Sequence, residues 1–455
     1  MRASFHITEH VIDGQHVREY PRATATPDAP LKLCIKQYTP LDNPTPKPGD
    51  VTIIATHGTG FPKELYEPLW EDLLASSSKH GARIRSIWIA DATNQGASGV
   101  LNERNLGNDP SWYDNSRDVI HMINHFRDQM PRPIVGVGHS LRRHATVSVF
   151  RSWITRSVDT NEQFHRLFAS LFHPRLFTSL ALIEPYMTDD PLAGGGPMLV
   201  YMSMKKRDAW PSREAAVEKA GKAFKTWDPR VFELWKIFGY RDLPTCIHPE
   251  KPANGTRPVT LTTTKHQETM MYTRPNAKRH TQLGAPEGKT YTNPNSSEIG
   301  PPHDPILFPD VLGPLSPIQK SYRQESILAF KLLPHIRPSV IYMSASESAL
   351  GKTGVHLAAA KLTGTGFGGS GGLESGRVQY LVIEEAGHCA PQEKVTDTAQ
   401  TLASWISQER QRWQEDEARV ADGWKELSGK EKSSFQPEWK EIVESIAALN
   451  RQSKI

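Results

Sequence analysis

Apolar residues follow two rhythms along this chain. "DVTIIATHG" (residues 50–58) is almost wholly apolar through its middle, as a strand buried on both faces should be, and "LKLCIKQYTPL" (31–41) is a second short β-rich run. "KELYEPLWEDLLASSSKHG" (63–81) changes to helical spacing, with Leu65, Leu69, Leu73 and Leu74 on one face and Gly81 as its stop. "RIRSIWIADA" predicts the next strand, "YDNSRDVIHMINHFRDQM" the next helix and "PIVGVGHS" a further strand. Strand and helix in alternation imply right-handed parallel crossovers, hence an α/β fold with a mostly parallel sheet covered on both sides.

The alternation resumes with "FTSLALIEP", "PSVIYMSAS" near 340 and "GRVQYLVIEEAGH" near 380. About 150 residues separate the first of these from the second. They hold a helical piece, "SREAAVEKAGKAFKTWDPRVFELWKIFG", and a long Pro/Gly/Thr/Asn-rich section. A gap of that size reads as a cap inserted over the carboxyl edge of the sheet, with Trp210, Trp227, Phe232 and Trp235 either lining a cleft or forming the cap's own core. "TGTGFGGSGG" (363–372) has no helix pattern after it and reads as a flexible linker rather than a phosphate loop. The resulting division is a core of 1–189 and 336–410, a cap of 190–335, and a charged, helix-prone tail of 411–455.

Composition narrows the class. A net charge of +4 over 455 residues, without a Lys/Arg stripe interleaved with aromatics, does not indicate a nucleic-acid partner. No run approaches a membrane span, and the N-terminus lacks the apolar segment of a secretory signal. Cys34, Cys246 and Cys389 lie far apart, which argues for a reducing compartment and against a disulfide framework or a zinc site. The last three residues, Ser453, Lys454 and Ile455, are a conservative variant of the SKL peroxisomal address, so an import receptor is an expected partner.

The chemistry sits at strand ends. Gly138-His139-Ser140 follows an apolar strand, as in the tight strand-to-helix turn that presents a catalytic serine. That turn wants the smallest residue two positions before and after the nucleophile; Gly138 satisfies the first position and Arg142 fails the second. His388, after the final strand, is placed as the base. Two carboxylates are open as the acid: Glu184, ending "LALIEP" and preferred for its position at a buried strand's carboxyl edge, and Glu347, just past the next strand. The turn in "ATHGTGF" offers the backbone N–H of Gly60 or Phe61, with that of Leu141, as oxyanion donors. These features in this order predict an α/β-hydrolase with no metal or organic cofactor, performing acyl transfer to water.

"VGHS", "HPRLFTSLALIEP", "WPSREAA", "WDPRVFELW", "RDLPT", "PVTLTTTKHQE" and "GFPKELYEPLW" resemble a fungal group of peroxisomal α/β-hydrolases of secondary-metabolite and host-selective-toxin pathways, which includes the acyl-CoA hydrolase of mycophenolic acid biosynthesis. The similarity covers about residues 5 to 405. It implies an acyl-CoA or ester substrate, Ser140 as nucleophile, His388 as base, and an acid at Glu184 where the family carries Asp. A lipase or carboxylesterase is the alternative activity. One departure stands out: Ser140 and Glu184 are 44 residues apart (184 − 140), against about 22–28 for one helix, a loop and a strand. The surplus maps onto residues 142–165 and reads as an insertion, either an extra loop or an unspliced segment in the gene. If it distorts the turn, the chain is an impaired pseudo-hydrolase.

Overall fold

The runs read as doubly buried strands form the middle of an eight-stranded sheet. Its strands, numbered in chain order, are β1 (Phe5–Asp13), β2 (Lys32–Pro40), β3 (Val51–Thr56), β4 (Ile84–Ala90), β5 (Ile134–His139), β6 (Ser179–Ile183), β7 (Ser339–Ala345) and β8 (Val378–Ile383). Their spatial order is β1-β2-β4-β3-β5-β6-β7-β8; β2 runs antiparallel to both of its neighbours, β1 and β4, and all other neighbouring pairs are parallel. This computed structural model describes residues 4–139, 169–170, 173–187, 197–275 and 321–452. The chain divides into two compact units, Met1–Glu409 and Arg410–Ile455.

The period-two rule still operates inside the continuous apolar runs. Ile53, Val135, Val137, Ala181, Ile183, Ile341 and Met343 face one core, while Ile54, Ile134, Leu180, Leu182, Val340 and Tyr342 face the other. α1 (Glu67–Lys79) follows a short 3-10 turn at Lys63–Tyr66, so the helical spacing from residue 63 covers two elements, split where Pro68 takes the first turn of α1. All four predicted leucines of that face are buried. The three cysteines are free.

β1 was not expected. Only Phe5 and Ile12 are buried in it, and it pairs along its whole length with β2 at the edge of the sheet. The glycine-rich stretch is also not a linker. Its amides close on neighbouring carbonyls, Gly364 N–H to Leu333, Ser370 N–H to Ile336 and Gly371 N–H to Gly364, at 2.9 Å each. Positive φ at Gly364, Gly368, Gly371 and Gly372 permits this self-bonded loop.

Between β6 and β7 lies the cap. Its described part contains the helices Pro197–Met204, Arg213–Ala223, Pro229–Phe238 and Lys265–Tyr272, and a small antiparallel sheet ordered Ala209–Trp210, Val259–Leu261, Tyr240–Asp242. Ser212, Asp228 and Thr264 cap three of those helices by accepting from backbone N–H groups. The cap is fastened to the core at Arg230, whose guanidinium pairs with Asp72 on α1 at 2.7 and 3.1 Å and with Asp228 at 2.8 Å. Trp210, Trp227 and Trp235 are buried and share a core with the sheet; Phe232 packs against them half-buried. The second unit carries the helix Pro437–Gln452 and a short helix, Gly429–Ser433, begun by a capping box between Ser428 and Glu431. No helix among the described residues is long and apolar enough to cross a membrane.

Candidate active site

Three parallel strands, β3, β5 and β6, end side by side, and β7 continues the row next to β6. Parallel pairing in register brings their carboxyl ends, and the loops beyond them, to one rim of the sheet. β5 ends at His139, immediately before Ser140. Ser140, Leu141, the 142–165 block and the terminal Ser453-Lys454-Ile455 all lie outside the described residues.

Glu184 follows β6 with φ of 54°, a left-handed conformation that a glutamate adopts at a cost of about 1–3 kcal/mol and that clusters at functional sites. Its carboxylate is fully buried and its four acceptor positions are filled. Oε1 accepts from Ala345 N–H at 2.7 Å and from Ser344 Oγ at 3.4 Å; Oε2 accepts from Ser348 Oγ and from His388 Nδ1, the latter at 3.0 Å. Burial pushes this carboxyl upward, but hydrogen bonds from His388 and Ser348 and the nearby His356 ring outweigh it and hold it below its ordinary value. An ionised carboxylate can only accept, so His388 donates from Nδ1, and in the neutral ring that leaves the lone pair on Nε2. That Nε2 is buried and has no hydrogen-bond partner among the described residues.

Of the two carboxylates the sequence left open, Glu184 therefore meets His388. Glu347 does not: its side chain is exposed and pairs with Lys352 at 2.7 Å. The oxyanion candidates need correcting. Gly60 N–H donates to Gln95 Oε1 at 2.6 Å and Phe61 N–H to Gly58 O at 2.9 Å, so neither amide stands free for a substrate oxygen in this arrangement. Gly60 has φ of +81°, and a Cβ there would sit 3.3 Å from the carboxylate of Glu268, brought in from the cap.

The sequence reading passed over His139. It is buried, and burial, with the His388 ring next, lowers its pKa to about 3, so the ring is neutral. Its Nε2 lies 3.0 Å from the His388 carbonyl, which can only accept, so the proton is on Nε2. Nδ1 then accepts from the Tyr66 hydroxyl at 2.7 Å, and Tyr66 accepts from Gly58 N–H at 2.7 Å. One directional chain thus joins the turn after β3, the end of β5 and the loop of the base. The "GHS" string contained the histidine, but nothing in its spacing distinguished it from a filler beside the serine.

No family model matches the chain. Curated relatives do. The Type I acyl-CoA thioesterase mpaH' of Penicillium brevicompactum is 36% identical over 97% of this chain and 96% of its own length. The Type I acyl-CoA thioesterase mpaH of Penicillium roqueforti is 34% identical over the same shares. Abhydrolase domain-containing protein AFT2-1 of Alternaria alternata is 24% identical over 70% of this chain and 99% of its own. Among solved structures, the peroxisomal alpha-beta-hydrolase Lpx1 of Saccharomyces cerevisiae superposes with a TM-score of 0.61 at 16% identity, covering 94% of this chain and 100% of that one, and shares the α/β-hydrolase fold.

Proposed function

Because the chain belongs to the family of these fungal type I acyl-CoA thioesterases, we propose that it hydrolyses an acyl-CoA thioester in a secondary-metabolite pathway. Ser140 attacks the thioester carbonyl. His388 Nε2 takes the serine proton and returns it to the departing thiol, and the Glu184 carboxylate stabilises the imidazolium formed between those steps. Water then attacks the acyl-enzyme by the same proton route. The observation that carries this reading is the Glu184–His388 pair at the sheet rim, with Nε2 left without a partner among the described residues. A buried carboxylate saturated with donors and one ring nitrogen left for work is the arrangement a general base requires.

A fluorophosphonate probe should label the purified full-length protein and fail to label Ser140→Ala. CoA thioesters should be turned over faster than p-nitrophenyl esters of the same acids; the reverse order would make the protein a carboxylesterase. A folded protein that takes no label would be a non-catalytic binder. Ser453-Lys454-Ile455 support a peroxisomal location, and a fluorescent fusion lacking these three residues should then remain in the cytosol.

A further inference from the structure

The cap holds an open cleft of about 510 Å³ whose character differs from that of the buried core around it. Its floor is aromatic, with Trp210, Phe224 and Trp235 contributing. Its rim is cationic: Lys205, Lys206, Arg207, Lys219 and Lys222 line it, and no carboxylate does. Two of those five are already engaged, Lys206 with the buried Glu268 and Lys222 with Glu218 at 3.1 Å. Lys205, Arg207 and Lys219 are exposed, and no carboxylate among the described residues pairs with any of them. Lys205 Nζ hangs 5.8 Å from the Tyr201 ring, and the Arg207 guanidinium 6.0 Å from the Trp210 ring. Arg207 Nε–H donates to the Ala209 carbonyl at 2.7 Å, which leaves the rest of its guanidinium fork available. Three cations without a carboxylate partner around an aromatic floor match a ligand that combines several phosphates with a flat ring.

We propose that this cleft binds the 3′-phosphorylated adenosine diphosphate end of the acyl-CoA, a reading that rests on the thioesterase function above. Adenine lies on the aromatic floor, and the phosphates meet Lys205, Arg207 and Lys219. The cleft and the catalytic rim are joined through side chains. Phe224 stacks on Trp227 at 3.9 Å between ring centroids, Trp227 meets the edge of Phe61 at 5.6 Å, and Phe61 stacks on His139 at 6.1 Å. Those rings are packed against one another, and in the proposed complex the phosphopantetheine arm runs from the cap towards the sheet rim, where it presents the thioester. Binding energy gathered there, away from the reacting carbonyl, serves to hold the thioester in place.

The test is titration of the full-length protein with 3′-phosphoadenosine 5′-diphosphate, followed by calorimetry, alongside the charge-reversed variant K205E/R207E/K219E. All three positions are solvent-exposed, so the variant keeps the fold. Affinity should fall at least about tenfold in the variant and weaken with added salt in the native protein. The KM for an acyl-CoA should rise at least about tenfold with kcat retained, moving toward the KM of the same acid as its pantetheine thioester. Failure of the nucleotide to bind, or equal binding by both proteins, overturns the cleft assignment even if thioesters are cleaved. Nucleotide binding that needs the three cations, in a protein that cleaves neither thioester, upholds the cleft and removes the catalytic reading instead. A cleft that takes a free long-chain carboxylate in preference to the nucleotide also overturns the proposal.

Discussion

Glu184→Gln should lower kcat by about 10⁴-fold while leaving the fold intact, the scale seen when the acid of a serine–histidine triad is replaced by its amide. The glutamine amide can donate toward His388 Nδ1, and that favours the tautomer with its proton on Nε2, the nitrogen that must receive the serine's proton. Glu347→Gln should leave turnover unchanged, because its carboxylate faces solvent beside Lys352. Steady-state rates for the two variants check both statements; a large loss in Glu347→Gln with little in Glu184→Gln would sink the assignment. A stability readout accompanies the kinetic one. Glu184 is held below its ordinary 4.5 in the folded protein, so its ionised form contributes stability above that value, lost as pH falls through the folded-state pKa. The native protein's lead over Glu184→Gln in urea midpoint should therefore shrink below about pH 4.

His139→Leu should cost about 10²-fold in kcat with little change in KM. The substitution keeps the volume roughly but removes both hydrogen bonds of the ring, so the Tyr66 hydroxyl loses its acceptor and the His388 carbonyl its donor. Displacing the base's loop by a fraction of an ångström is enough for a loss of that size. Tyr66→Phe leaves His139 and its bond to the base's loop in place and should cost less, about tenfold, together with roughly 1 kcal/mol of stability for the lost buried hydrogen bond. A rise in KM with kcat unchanged in both variants would show that the chain serves substrate binding instead of positioning the base.

Much of this was legible from patterning because the sheet obeys simple rules. Strands buried on both faces leave continuous apolar runs, and β3 through β7 stood out for that reason. β1 did not, since an edge strand with seven polar or exposed positions in nine leaves no such run. Glu184 and His388 were singled out in the sequence because chain order in this fold restricts where an acid and a base can stand, and the structure pairs them at 3.0 Å. The residues that hold Glu184 in place, Ser344 and the Ala345 amide at the end of β7 and Ser348 in the turn after it, come over 150 positions later, and no local pattern announces a contact of that range. The Gly60 and Phe61 amides failed as free donors for a similar reason, at least for Gly60: its partner, Gln95, sits beyond the next strand. The glycine-rich loop misled because composition reports what a backbone is able to do, and hydrogen bonding decides what it does.

Glu268 reaches from the cap to the glycine at the catalytic turn and is itself gripped by Ser203, Lys206 and Tyr272 of the cap. Grafting a foreign cap onto this core, as one would to change its acyl preference, therefore requires transplanting the complementary partner of Gly60 as well. Chimaeras that join only at the β6 and β7 boundaries would leave Gly60 without that neighbour, which makes the cap and the turn after β3 a single unit for redesign.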